Sequence, residues 1–129
     1  MRLTSLLAIA ACGIALAACN GEDDPNVIKV AVAGPQTGQY ASLGTQMTTG
    51  GETAVADINA AGGVLGNDVI LNQGDSGDTT TDTANLEVDR LLAAGADVIV
   101  GAASSGVSKT VIDKITGSCV IQFSPANTS

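Results

Sequence analysis

Histidine and tryptophan are absent from this chain of 129 residues, tyrosine and phenylalanine occur once each, and lysine and arginine together number 5. Without histidine there is no Ser-His-Asp relay and no histidine general base. A zinc site loses its usual nitrogen ligand, and Cys12, Cys19 and Cys119 do not cluster to replace it. Few basic residues against 13 acids leave no patch to meet phosphates, so nucleic acid is not expected as a partner. With so few aromatics, the core is built from Val, Ile, Leu and Ala. That composition suits a parallel sheet covered by helices, whose strands are apolar on both faces.

A long apolar run occurs once, at the start. Arg2 precedes residues 3–18, which are apolar or small apart from Thr4 and Ser5. The run is shorter than the ~20 residues of a membrane helix and has the length of a signal-peptide core. It ends on Leu16-Ala17-Ala18-Cys19, a lipobox-like sequence whose cysteine would be acylated after cleavage. The expectation is a lipoprotein signal peptide over residues 1–18 and a lipid-anchored tether over residues 19–26, "CNGEDDPN". The chain is then exported and faces the periplasm or the outer side of the cytoplasmic membrane. A plain secretory signal cut at an Ala-x-Ala-like site is the alternative, with Cys19 incidental. Losing Arg2 would make the remainder more acidic than the formal −8 of the whole chain. Cys119 lies in an apolar pattern and is expected to be a buried thiol; the alternative is a disulfide partner outside this chain.

From Val27 onward, short apolar runs alternate with helical spacing. Strands are expected over residues 27–34, 68–73, 97–101 and 119–123, the last, "CVIQF", as a buried strand. Helices are expected over residues 45–61, about 81–94 and 107–117, with stops at Gly62-Gly63, Gly95 and Gly117. In the first helix Gly51 shares a side with Met47, Ala54, Val55 and Ile58. The order β-α-β-α-β-α-β implies right-handed crossovers, a parallel sheet and helices on both faces. The strand-to-helix loops then share the carboxyl edge of the sheet, where ligands of such folds bind.

Those loops carry hydroxyls and glycines: Gly34, Thr37 and Gly38; Asp75, Ser76 and Asp78; Ser104, Ser105 and Gly106; Ser124, Asn127 and Thr128. The loops at the opposite edge hold mainly Gly and Ala. Ser104 and Ser105 precede a helix, so either can cap it while the other binds a small carboxylate drawn to the helix N-terminus. The first loop, "GPQTGQYASLG", has neither GxGxxG nor GK[ST], and Pro35 removes a backbone donor, so no nucleotide fingerprint is present. No G-x-S-x-G occurs, and the acids form no pair for acid–base work. Asp75 and Asp78 read as solvated loop acids or turn formers, and "GDSGD" does not match a calcium loop. No catalytic residue, metal or cofactor is expected.

The stretch "IKVAVAGPQTGQYASLGTQMTTGGETAVADINAAGGVLGNDVIL", with "VIVGAASSGVS" and "QFSPANTS" after it, resembles the periplasmic leucine/isoleucine/valine-binding proteins. These are substrate-binding subunits of branched-chain amino acid ABC transporters. The resemblance runs from about Val27 to the end, and "AVADINAAGGVLG" is its most specific part. It implies a type I periplasmic binding fold, two α/β lobes closing on a ligand across a hinge, of which residues 27–129 form part of a Rossmann-like N-terminal lobe. By the same resemblance Ser105 binds the ligand's α-carboxylate, with Ser104 beside it. The Ala126 backbone and the Thr128 hydroxyl hold its amino and carboxylate groups, and Leu43 and Tyr40 supply the first loop's apolar contact. Some members join the second and third loops by a disulfide; Gly77 and Ser104 stand at those places here.

The implied function is capture of a branched-chain amino acid or related small polar solute and its delivery to an ABC permease. The alternative is a sensing module of the same fold with another ligand, such as an amide, urea or an aromatic acid, or else an inactive truncated fragment. The helix after the last strand, the hinge and the second lobe are expected to lie beyond Ser129, so the chain reads as incomplete. Half a cleft leaves half the ligand in water, and binding no tighter than about millimolar is expected.

Overall fold

The computed structural model describes Asp24 and residues 26–128. The expected leader and Cys19, the expected lipidation position, lie outside the described residues. Asp24 feeds the first strand: its carboxylate accepts from the Asn26 N–H at 2.9 Å and its carbonyl from the Val27 N–H at 3.1 Å.

The elements run β1 (Val27–Gly34), a 3-10 turn (Ala41–Leu43), α1 (Gly44–Ala60), β2 (Asp68–Asp75), α2 (Thr83–Ala93), β3 (Val98–Gly101), α3 (Ser105–Gly117) and β4 (Ile121–Phe123). The strands form one parallel sheet in the order β2-β1-β3-β4. This is the expected α/β architecture, with helix boundaries within about two residues of the sequence reading. The first crossover carries the chain to one side of β1 and the second returns it to the other. Loops after β1 and β3 therefore diverge between adjacent strands, the position where such sheets open a crevice.

Alternation along β1 assigns the faces. Ala31 and Ala33, with Ile99 of β3, pack under α2 and α3 through Val88, Leu91, Val107, Val111 and Ile115. Leu91 and Ile115 are 0% exposed and Ile99 is 1% exposed. Each such side chain contributes about 1.5–3 kcal/mol by leaving water. On the other face Val32 and Leu71 meet α1, where Gly51 permits close approach: a Cβ there would stand 2.8 Å from the Val32 side chain. Gly51 thus serves the packing that its place on the apolar side implied.

Two expectations at the end of the chain are corrected. Cys119 is exposed, not buried. It follows α3, which ends at Gly117 as expected, in a tight turn with φ 59°. β4 is also not a buried strand. It is the edge of the sheet, and Ile121 and Phe123 are 65% and 62% exposed. Register places both on the α1 face with Val98 and Val100. α1 packs over β1 and β2, so no described helix covers that half of the face.

Candidate functional site

Three loops at the carboxyl edge converge on one cavity. Its volume is about 430 Å³, and it is lined by Tyr40, Leu43, Ser104, Ser105, Ala126 and Thr128, with Ala103 and Gly106. Every residue singled out in the sequence as a ligand contact therefore lines the same space. No charged side chain lines it. A second cavity of about 440 Å³ lies between α1 and the sheet, walled by aliphatics such as Val30, Val32, Val55 and Leu71. It lacks convergent polar groups to orient a ligand, so the polar cavity is the candidate site.

α3 presents its N-terminus to the candidate site. The first helical bond there runs from the Ser108 N–H to the Ser104 carbonyl at 2.9 Å, so the N–H groups of Ser105, Gly106 and Val107 precede the intrahelical ladder. Ser104 has the extended conformation of a cap (φ −89°, ψ 127°), but its hydroxyl makes no capping bond. The expected division of labour, one serine capping and the other binding, is not seen in that form. The Ser105 hydroxyl oxygen accepts from the Thr128 N–H at 3.3 Å, which ties the fourth loop to the start of α3. Unpaired N–H groups and the positive end of the helix dipole favour an anion here.

The third loop is fixed from beneath by residues that sequence reasoning missed. Gln122 Nε2 donates to the Gly101 carbonyl at 2.9 Å. The Ser124 and Ser108 hydroxyls both donate to the Ala102 carbonyl, at 2.6 and 3.2 Å. Gly101 has φ +138°, and a Cβ there would meet the Ala33 backbone. Ser124 stood among the loop hydroxyls, whereas nothing local marked Gln122, whose role depends on β3 and β4 being neighbours.

The first loop is fixed by acids. Asp75 Oδ1 accepts from the N–H groups of Gln36, Thr37 and Gly77 at 2.8, 3.1 and 2.8 Å, and Oδ2 accepts from the Thr37 hydroxyl at 2.6 Å. Burial alone would push this carboxyl up, but the Thr37 hydroxyl and the three N–H groups outweigh it and hold it below the ordinary range. Asp78 is also held low, first by the Thr80 hydroxyl, then by the Thr80 N–H. Both acids form turns, as the sequence suggested, but they also do more. They bond across 38 or 39 residues to the neighbouring loop. Among the described residues no group of three or more His, Cys, Asp or Glu could hold a metal ion.

With this geometry in place, similarity to known proteins identifies the family. The family model described as "Periplasmic binding protein" matches residues 27–129. Leu/Ile/Val-binding protein homolog 2 of Brucella abortus (strain 2308) is 32% identical over 122 residues, spanning 92% of this chain and 32% of its own length. The Leu/Ile/Val-binding protein of Escherichia coli (strain K12) is 34% identical over 103 residues, spanning 79% of this chain and 28% of its own length. The crystal structure of the branched-chain amino acid transporter substrate-binding protein LivJ from Streptococcus pneumoniae, in complex with isoleucine, superposes with a TM-score of 0.72 at 28% identity. It covers 80% of this chain and 30% of that one. An ABC transporter substrate-binding protein from Desulfitobacterium hafniense, in complex with Leu, superposes at 0.61 with 30% identity, over 80% of this chain and 30% of that one. The chain spans roughly a third of the length of the curated relatives it matches. The shared sequence and the shared parallel α/β sheet together establish that this chain belongs to the periplasmic binding protein family.

Proposed function

We propose that residues 27–129 form part of the N-terminal lobe of a substrate-binding subunit of an ABC importer, which captures a branched-chain amino acid. The observation that carries this is the uncharged cavity at the carboxyl edge, with hydroxyls and helix N–H groups on one side and Tyr40 and Leu43 on the other. A zwitterion leaving water needs its charges met by such dipoles, and its aliphatic side chain needs an apolar wall. In this reading the α-carboxylate sits at the N-terminus of α3. Ser105 already accepts from the Thr128 N–H, which leaves its own hydrogen to donate to that carboxylate. The Ala126 backbone and the Thr128 hydroxyl meet the remaining polar atoms, with Ser104 alongside. Relatives named for leucine, isoleucine and valine, and neighbours solved with isoleucine and Leu, support this ligand class.

The rest of the reading follows from the family and the sequence. Residues 1–18 direct export, Cys19 carries a lipid, and residues 19–26 tether the lobe to the membrane. An ABC permease receives the ligand. No part of this reading requires a catalytic group or cofactor.

Titration with L-leucine, L-isoleucine and L-valine, read by calorimetry and by saturation-transfer NMR, tests the proposal. Contacts from one lobe alone predict saturable binding at about millimolar concentration, weakened by Ser105→Ala. Absence of saturable binding, or binding untouched by Ser105→Ala, overturns the site. Micromolar affinity overturns the half-cleft reading.

A further inference from the structure

Asp75 and Asp78 lie at the cavity's edge of the sheet, yet neither lines the cavity, and both oxygens of each carboxylate accept from protein donors. Asp75 receives four hydrogen bonds, two of them from consecutive N–H groups of the first loop. Asp78 Oδ1 receives the Thr80 N–H and hydroxyl at 2.8 and 2.6 Å, and Oδ2 receives the Gln39 N–H at 3.3 Å. The first loop therefore gives the N–H groups of Gln36, Thr37 and Gln39 to carboxylates of the second loop. Between them Gly38 passes with φ +83°, so close to Asp78 that a Cβ would strike its carboxylate. Gln39 is followed by Tyr40, and Leu43 ends the turn that comes after it; both Tyr40 and Leu43 line the cavity.

We propose that Asp75 and Asp78 are positioning residues for the ligand site: a carboxylate clamp that folds the first loop over the end of β2 and so fixes Tyr40 and Leu43 opposite Ser105. Neither acid contacts the ligand. Neither is among the residues lining the cavity, and charge-assisted bonds to backbone are stronger than neutral ones. The second loop is anchored in turn by β2, whose Asp75 is registered against Gly34 of β1, so the clamp transmits sheet geometry to the cavity wall. This inference deepens the reading of the cavity as an amino acid site, but it is measurable without any ligand.

The chain has one tyrosine and no tryptophan, so its intrinsic fluorescence reports Tyr40 alone. The experiment compares the wild type with Asp75→Ala, Asp78→Ala and the control Asp89→Ala. The control removes the same charge from an exposed pair with Lys114 on the helical surface. Fluorescence anisotropy follows Tyr40, and amide exchange by NMR follows Gln36, Thr37 and Gln39 together with Ala31 and Ile99 of the core. Asp75→Ala is expected to abolish protection at Gln36 and Thr37 and to lower Tyr40 anisotropy, while Ala31 and Ile99 stay protected. Asp78→Ala does the same at Gln39, and Asp89→Ala changes none of these.

Unchanged anisotropy and unchanged loop protection in a folded Asp75→Ala overturn the proposal. So does simultaneous loss of protection across the sheet, which would make the acids general elements of the fold. Thr37→Val, which deletes only the hydroxyl bond to Oδ2, is read in the same way and decides the matter if Asp75→Ala does not fold. Failure of L-isoleucine to bind the wild type counts against the proposed function and leaves this test intact.

Discussion

Asn59 offers a sharp test of how the fold is held. It lies in the last turn of α1, above β2, which is an outer strand of the sheet. Its Nδ2 donates to the Val69 carbonyl and its Oδ1 accepts from the Val69 N–H, both at 2.8 Å. The amide thus stands in for a missing neighbouring strand. Val69 is 4% exposed, so water replaces these bonds poorly. Asn59→Ala leaves one donor and one acceptor unsatisfied. Each costs about 1–3 kcal/mol when buried, and partial hydration at the sheet edge brings the pair to about 2–4 kcal/mol. For a domain of this size the melting temperature should drop by on the order of 10 °C or more. Urea unfolding followed by circular dichroism should show a lower midpoint with an unchanged slope. Asn59→Asp should be equally damaging at neutral pH, because a second oxygen then faces the Val69 carbonyl. It should regain part of the loss in acid, where the protonated carboxyl can donate. A loss below about 0.5 kcal/mol for Asn59→Ala, within the range of an ordinary surface substitution, would refute the reasoning.

Two further outcomes follow from the same geometry. Asp75 is depressed in the folded chain, so its stabilisation is present above the unfolded value near 3.8 and is lost as pH falls through the lower folded value. Urea midpoints should decline from about pH 5 to about pH 2, less steeply in Asp75→Asn, and equal slopes would contradict the clamp. Cys119→Gly should stabilise the chain by about 1 kcal/mol, because φ 59° strains a residue with a Cβ. An unchanged or lowered urea midpoint would show that the turn is not strained.

Much of this structure was legible in the sequence. Alternating strand and helix patterns, with Gly62-Gly63 and Gly95 between them, gave the element order and hence the shared loop edge. That edge brought Ser105 and Thr128 together without any knowledge of strand order, and the family resemblance added Ala126. The sheet order itself was not legible, since no local pattern says which strand ends at the rim. Phe123 was misread for that reason: an apolar run looks the same in a central strand and at an edge. Cys119 was misread because the strand starts only at Ile121 and Cys119 lies in the turn before it. Asp75, Asp78 and Gln122 escaped for a related reason. Their partners lie 39, 39 and 21 residues away, and only pairing of β1 with β2 and of β3 with β4 brings them near. The bare half of the α1 face was equally invisible, because periodicity shows that a strand has an apolar face but not what covers it.

The central claim is that the polar cavity at the carboxyl edge receives an amino acid. Chemical-shift mapping of backbone amides during titration with L-isoleucine tests it most directly. The account predicts saturable shifts at Ser105, Gly106 and Thr128, with smaller ones at Tyr40 and Leu43. Shifts confined to Met47, Val55 and Leu71 around the aliphatic cavity, or no saturable shifts at all, would contradict it.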